Sequence, residues 1–321
     1  MEAFLMDLIP WGYRILLAIE EWRTPALDRF FLGVTELGSA YFYIALLPLL
    51  YWCANKRVAL GVTFVYLSST FLNNGLKTVF TIPRPGDGAL ESVLRPAGIT
   101  GRVNPLAPTH DPSWPSNHAQ GALVTWSYLA WRVSRRWVWI VAALLIALIA
   151  FSRLYLGVHF PQDVISGILI GAAYVGVWIV IEPGARGVIG RWSFGVRLAV
   201  VLLIPVLALL LYSDLDSPRL NGVIAGMGVG HLLQERWLAF DPRGRWATRL
   251  LRALIGLVII GGAYVGLGAL FPTVEAGTAD VILRAVRYSL LGLIGTLLAP
   301  WLFLKLNLAE RETGRGSSVA S

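Results

Sequence analysis

The chain has 321 residues, 56% of them hydrophobic and only 14% charged, with a mean hydropathy of +0.65. A soluble domain carries about 25% charged residues, so soluble globular, disordered and collagen-like readings are excluded, and repeated apolar runs point to a polytopic membrane protein. The single cysteine, Cys53, excludes an intrachain disulfide framework or a cysteine-based metal cluster, and the net charge of +8 sits between apolar runs, where membrane topology explains it better than nucleic acid.

Residues 1–31 read as an interfacial amphipathic helix with Trp11 and Trp22 at headgroup level. Asp7, Pro10 and Arg14 interrupt the segment, and no basic region precedes a clean apolar core, so it does not read as a signal peptide. Spanning segments are expected at 32–54, 58–80, 118–132, 137–156, 162–182, 196–213, 219–236, 250–271 and 281–304. Backbone groups in lipid must be satisfied internally, and these runs are continuous rather than alternating, so helices are expected and a barrel is not. The expected fold is therefore all-α, a polytopic bundle of about nine transmembrane helices. The loops alternate in charge: Lys56 and Arg57, Arg132 to Arg136, Arg186 to Arg197, Arg236 to Arg252, and Lys305 to Arg315 lie at every second connection. The positive-inside rule makes that side cytoplasmic and puts loops 81–117 and 153–161 outside. Arg14, Arg23 and Arg29 fall on the wrong side of this scheme. Residues 309–321 read as a polar, disordered tail.

Three polar clusters interrupt the apolar chain. They are Lys77 with Arg84 and Pro85; Pro115-Ser116-Asn117-His118; and Ser152-Arg153 with His159 and Asp163. All three border spanning segments, and the charge alternation places them at one membrane face. Lys77, Arg84 and Arg153 suit a dianionic group, because Arg forks bind phosphate oxygens in pairs and Lys supplies a point charge. Ser116 is a natural N-cap, and the N–H groups of Asn117 and His118 would then form an anion site at a helix start. Pro161 suits the first turn of a helix. Four residues apart there, Asp163 can bond one ring nitrogen of His159 and leave the other free to attack. His118 is a second imidazole able to act as general acid.

Each signal has a plainer reading. A lone Lys or Arg at a helix end commonly anchors topology, Ser-X-His at a helix start is commonly a cap, and His and Asp four apart are commonly a structural pair. Clustered ionisable groups bordering a membrane are nevertheless functional by default. Together the clusters resemble the signature of the type 2 phosphatidic acid phosphatase superfamily: Lys, six residues, Arg-Pro; Pro-Ser-Gly-His; Ser-Arg, five residues, His, three residues, Asp. The match falls on Lys77, Arg84, Pro85, Pro115, Ser116, His118, Ser152, Arg153, His159 and Asp163, and covers roughly residues 30–182.

With the resemblance the chain divides into the interfacial helix over 1–31, a catalytic transmembrane core over 32–185 that the resemblance implies, additional transmembrane helices over 186–308 that lie outside it, and the tail over 309–321. It implies a lipid phosphatase, integral to the bilayer, which needs no metal and no cofactor, and the loop charges place its site on the face away from the cytoplasm. His159 would be the phosphohistidine nucleophile, Asp163 its orienting group and His118 the acid that protonates the leaving oxygen. Lys77, Arg84, Ser116, Asn117 and Arg153 would hold the phosphate. Asn117 replaces the usual glycine, as in branches resembling sphingosine-phosphate and dolichyl-diphosphate phosphatases. The substrate class is then a lipid phosphate or diphosphate of phosphatidate, sphingoid or polyprenyl type. A phosphotransferase using the same phosphohistidine and, in another class, a non-catalytic lipid transporter are the alternatives. The sequence sets no oligomeric state. His110 and Asp111 read as loop residues able to shape the pocket, His231 as a helix-contact residue, and Gly222 to Gly230 as packing. Loop 86–114 reads as a lid or headgroup element, with Asp87, Glu91 and Arg95 as headgroup candidates.

Overall fold

The computed structural model describes residues 1–107, 109, 111–272 and 277–312. Among them every regular element is helical, and the β-type pairing is an isolated bridge between Phe240 and Arg311. Two compact units emerge, one of residues 1–43 and 68–182, the other of residues 44–67 and the chain from 183 onward. The partition differs from the division drawn on sequence: residues 1–31 belong with the first unit, and 44–67 with the C-terminal part.

The first unit opens with α1 (Glu2–Asp7) and α2 (Ile9–Glu20). Where one interfacial helix was expected over 1–31, the segment breaks at Leu8 and again before Pro25, the first residue of α3 (Pro25–Glu36). Thr24 caps α3 by accepting the Leu27 N–H at 3.3 Å. Trp11 and Trp22 stay exposed, while Ile9, Tyr13 and Leu16 of α2 are buried with Ile82, Leu90, Val103, Trp114 and Phe160. The N-terminal helices thus share one core with loop 86–114, which contributes Leu90, Leu94, Val103 and Trp114 to it. Arg23 donates to the carbonyls of Tyr155 and Asn104 at 2.7 Å each, and Arg14 to that of Ala97 at 3.1 Å.

The expected span 32–54 is broken. α3 and α4 (Ala40–Cys53) meet at an angle of 50° across residues 37–39. α5 (Lys56–Val79) begins in the second unit and ends in the first. Among its described residues, loop 86–114 holds a 3-10 turn at Gly88–Leu90 and the short α6 (Glu91–Leu94). α7 (Asn117–Val133) ends on Ser134 in the left-handed region and leads to α8 (Arg136–Tyr155). α9 (Pro161–Gly190) lies against α7 almost backbone to backbone, since a Cβ on Gly167 would stand 2.6 Å from the Ser116 carbonyl oxygen.

In the second unit α10 (Phe194–Leu211), α11 (Ser217–Trp237), α12 (Trp246–Leu270) and α13 (Thr278–Leu293) follow, and a π-helical turn at Ile294–Leu298 joins α13 to α14 (Ala299–Lys305). α11 packs on α13 through its glycines, a Cβ at Gly226 falling 1.9 Å from the Ser289 carbonyl oxygen. His231 is held by the Tyr51 hydroxyl at 2.9 Å. Residues 310–312, expected within a disordered tail, are ordered: Glu310 accepts from Asp241 N–H at 3.0 Å, and Glu312 pairs with Lys56 at 3.0 Å. Residues 313–321, Arg315 among them, lie outside the described residues.

All nine segments expected to span are helical, but five of these elements are long and apolar enough to cross a membrane, or six with the bent pair α3–α4 counted as one span. α7, with 17 residues, falls short in length, and α5 and α11 fall short because they carry polar residues. Asn73, Asn74 and Lys77 lie on α5, Asn117, His118 and Gln120 on α7, and Asn221, His231, Gln234 and Glu235 on α11.

Candidate active site

The first unit brings the three clusters together. Lys77 lies in the last turn of α5, and Pro83 and Pro85 hold Arg84 in the extended segment beyond it. Ser116 is the N-cap of α7, as its sequence position suggests, yet its hydroxyl makes no cap hydrogen bond. Its backbone N–H instead donates to the Asp163 carbonyl at 3.0 Å, tying the second cluster to the third. The fully buried Ser116 Oγ and the Asn117 side-chain oxygen have no protein partner.

Asp163 sits in the first turn of α9, two residues after Pro161. Its Oδ2 accepts the Phe160 N–H at 2.8 Å, the reciprocal bond of a capping box. The same oxygen accepts from the Ser113 hydroxyl and lies 3.4 Å from His159 Nδ1, close enough for an ion pair but outside hydrogen-bond alignment. On the other side of the ring, Arg84 Nη1 lies 3.3 Å from Nε2. A guanidinium can only donate, so Nε2 carries the lone pair and the proton belongs on Nδ1, facing Asp163. Burial first, then the charges of Arg84, Arg153 and Lys77, hold the His159 imidazole well below its ordinary pKa. The ring is therefore neutral, with an available lone pair.

Arg153, in the last turn of α8, is buried. Its Nη1 donates to the Thr35 hydroxyl of α3, and its Nε has no protein partner. His118, in the first turn of α7, packs against the α3–α4 break, where a Cβ on Gly38 would stand 2.9 Å from ring carbon Cδ2. Its charge acts on the titration of His159, as expected of neighbouring imidazoles.

Lys77 and Arg84 are both held by Asp111. Lys77 Nζ lies 2.6 Å from Oδ2 and Arg84 Nη2 2.8 Å from Oδ1, while Arg84 Nε bonds the Asp111 carbonyl at 2.7 Å. Lys77 also donates to the Pro112 carbonyl. Burial alone would raise the Asp111 carboxyl; the charges of Lys77 and Arg84, with hydrogen bonds from Lys77 and Thr109, outweigh it and bring it down to about 2.

All eight residues singled out for the site thus lie in the first unit, at and beyond the end of α5, at the start of α7, at the end of α8 and around the start of α9. Three supporting groups carried no signal of their own: Ser113 on Asp163, Thr35 on Arg153 and Gly38 against His118. Thr35 comes from a helix more than a hundred residues upstream of its partner, and Ser113 from an irregular loop, so no local pattern marks them. Asp87 caps the Ala89 N–H at 2.9 Å, and Glu91 and Arg95 are exposed on the loop surface. His110 lies outside the described residues. Among the described residues no group of three or more His, Cys, Asp or Glu side chains could hold a metal ion.

The sequence profile of the PAP2 superfamily matches residues 58–186, and that of the PAP2 superfamily phosphatase, transmembrane extension, matches residues 219–311. The chain is 31% identical over 198 residues to a lipid phosphate phosphatase delta of Arabidopsis thaliana, covering 56% of this chain and 46% of that protein. It is 25% identical to a dihydrosphingosine 1-phosphate phosphatase of Saccharomyces cerevisiae, covering 74% of this chain and 62% of the relative. It is 38% identical to an undecaprenyl-diphosphatase of Sulfolobus acidocaldarius, covering 46% of this chain and 66% of the relative. The chain spans about half the length of several curated relatives it matches.

Proposed function

Because the chain belongs to the PAP2 superfamily, we propose that it is an integral-membrane phosphatase that hydrolyses a lipid phosphate or diphosphate through a phosphohistidine on His159. The observation that carries this reading is the setting of that ring: neutral, with Nε2 3.3 Å from Arg84 and Nδ1 3.4 Å from Asp163.

In the proposed reaction Lys77, Arg84, Arg153, Ser116 Oγ and the Asn117 backbone N–H hold the phosphate oxygens. Arg84 passes its Nε2-facing N–H to the substrate as His159 attacks. The N–P bond forms as the bond from phosphorus to the lipid oxygen breaks, and His118 gives that oxygen its proton. The nearby carboxylate of Asp163 stabilises the positive charge that develops on the ring. Water, giving a proton back to His118, then cleaves the N–P bond and restores both histidines. Three equatorial oxygens face the three positive charges in the transition state, so stabilisation comes from fixed cations in a site already organised for them.

We further place about nine helices across the membrane, with the site on the extracytoplasmic face; the alternation of cationic loops supports that orientation. The relatives named for sphingoid phosphates and for a polyprenyl diphosphate support a lipid substrate. Phosphate release from phosphatidate, sphingoid phosphate, phosphatidylglycerophosphate and polyprenyl mono- and diphosphates, in excess EDTA, tests the reading. Release from at least one, undiminished by the chelator, is expected. Activity that vanishes with EDTA and returns with magnesium would overturn the metal-free mechanism.

A further inference from the structure

Asp111 stands at the rim of the site with 52% of its side chain exposed, yet it grips both cations of the first cluster. Each carboxylate oxygen takes one of them, Oδ2 with Lys77 at 2.6 Å and Oδ1 with Arg84 at 2.8 Å. Two oxygens on one central atom, bridging an ammonium and a guanidinium, make the contacts that two oxygens of a phosphate group would make. A phosphate and this carboxylate cannot hold the same donors at once.

We propose that Asp111 is a built-in competitor of substrate phosphate, occupying Lys77 and Arg84 in the resting protein until an incoming phosphate displaces it. The proposal rests on the reading of Lys77 and Arg84 as phosphate ligands. The competitor is tethered a few residues from the site, so its effective concentration is in the millimolar range or above. Its carboxyl, with a pKa of about 2, stays ionised throughout the working range, so it is a fixed monoanion and no pH switch. Every ligand bears the same cost of displacing it. A phosphomonoester, whose second pKa is about 6, brings two charges to the cations and overcomes that cost. A phosphodiester, the form in which bulk membrane lipids carry their phosphate, brings one and only equals the carboxylate. Asp111 thereby sets an affinity threshold that keeps abundant diester headgroups from filling the site.

The test uses the full-length protein in detergent at pH 8. Inorganic phosphate and dimethyl phosphate serve as competitive inhibitors of p-nitrophenyl phosphate hydrolysis, and calorimetric titration replaces inhibition for any variant that does not turn over. Asp111→Asn should tighten both inhibitors by the same factor, about tenfold, the scale of one charge-assisted hydrogen bond. Asp111→Glu should restore the weak binding. An equal gain for both ligands marks a removed competitor, whereas a fixed negative field would favour the dianion roughly as the square of the gain for the monoanion. Unchanged or weaker inhibition in Asp111→Asn, or a gain that grows with ligand charge, would overturn the proposal. Lys77→Gln is measured alongside. If it leaves phosphate inhibition untouched, the assignment of the cations fails and the proposal with it; if it weakens inhibition while Asp111→Asn brings no gain, only the competitor is refuted.

Discussion

The imidazole of His159 lies between a donor that can only donate and a carboxylate that can only accept, and its tautomer follows from that pairing. An unperturbed histidine is half protonated near pH 6.5, but this one is held lower by burial and by Arg84, Arg153 and Lys77. In ¹⁵N spectra of imidazole-labelled protein at pH 6.5, His159 should appear neutral with its proton on Nδ1. Arg84→Gln removes the cation that contributes most after burial, so the pKa should rise towards the ordinary value and protonation should begin at higher pH. An unchanged titration would contradict the electrostatic account. The two histidines should separate by leaving group. A lipid alkoxide is nearly as basic as hydroxide from water of pKa about 15.7 and needs a proton from His118, whereas nitrophenolate does not. His118→Ala should therefore lose at least about a hundredfold in rate on lipid phosphate, the lower end for general acid catalysis, yet still form phosphoenzyme from p-nitrophenyl phosphate.

At the scale of elements, the site depends on how closely α9 approaches α7. A Cβ at Gly167 would stand 2.6 Å from the Ser116 carbonyl oxygen, and one at Gly171 3.1 Å from that of Gln120. Both contacts are to backbone, which cannot rotate away. Gly167→Leu should push the helices apart, lengthen the Ser116–Asp163 backbone link and cut turnover at least tenfold through misplacement of the reacting groups. Gly33→Ala, where a Cβ meets nothing within 4 Å, serves as the control for glycine substitution. Equal turnover in Gly167→Leu and the control would show that this approach does not position the site. These contacts also explain what could be read in advance. The motif residues were legible because charge is rare in an apolar chain and each cluster borders a helix end. The 50° break between α3 and α4 was not, because hydropathy does not register direction: Gly38 and Ser39 mark the break, but the apolar residues on either side of them read as one continuous span. Thr35 and Ser113 escaped for a related reason: their function lies in long-range contacts, and Ser and Thr are ordinary in helices and loops.

At the scale of the whole molecule, the proposed orientation rests on the loop charges, against which Arg14 and Arg23 stand on the opposite side. Arg23 bonds the Tyr155 and Asn104 carbonyls, and Arg14 the Ala97 carbonyl, so both hold the N-terminal helices to the loops beside the site. Cations engaged in this way need not report the cytoplasmic side. In a Cys53→Ala background, single cysteines placed in loop 86–106 should react with an impermeant thiol reagent in intact cells, and cysteines at 134–136 should react only after permeabilisation. The reverse pattern would put the site in the cytoplasm. The 17-residue length of α7 and the polar composition of α5 and α11 likewise show why an apolar-span criterion finds fewer spans than the succession of helices: α5 and α7 hold residues proposed for the site, and all three bury polar side chains within the protein.

The most direct measurement is the trapping of covalent phosphate on the protein within the first turnover, by acid-free quenching of wild type, His159→Ala and Asp163→Asn with ³²P-labelled lipid phosphate. Wild type should show a burst of acid-labile, base-stable phosphate that maps to His159. Asp163→Asn should form it more slowly, since the ring loses its orienting charge, and His159→Ala should form none. Labelled phosphate that persists in His159→Ala, or turnover in wild type with no covalent species under conditions that trap one, would contradict the account.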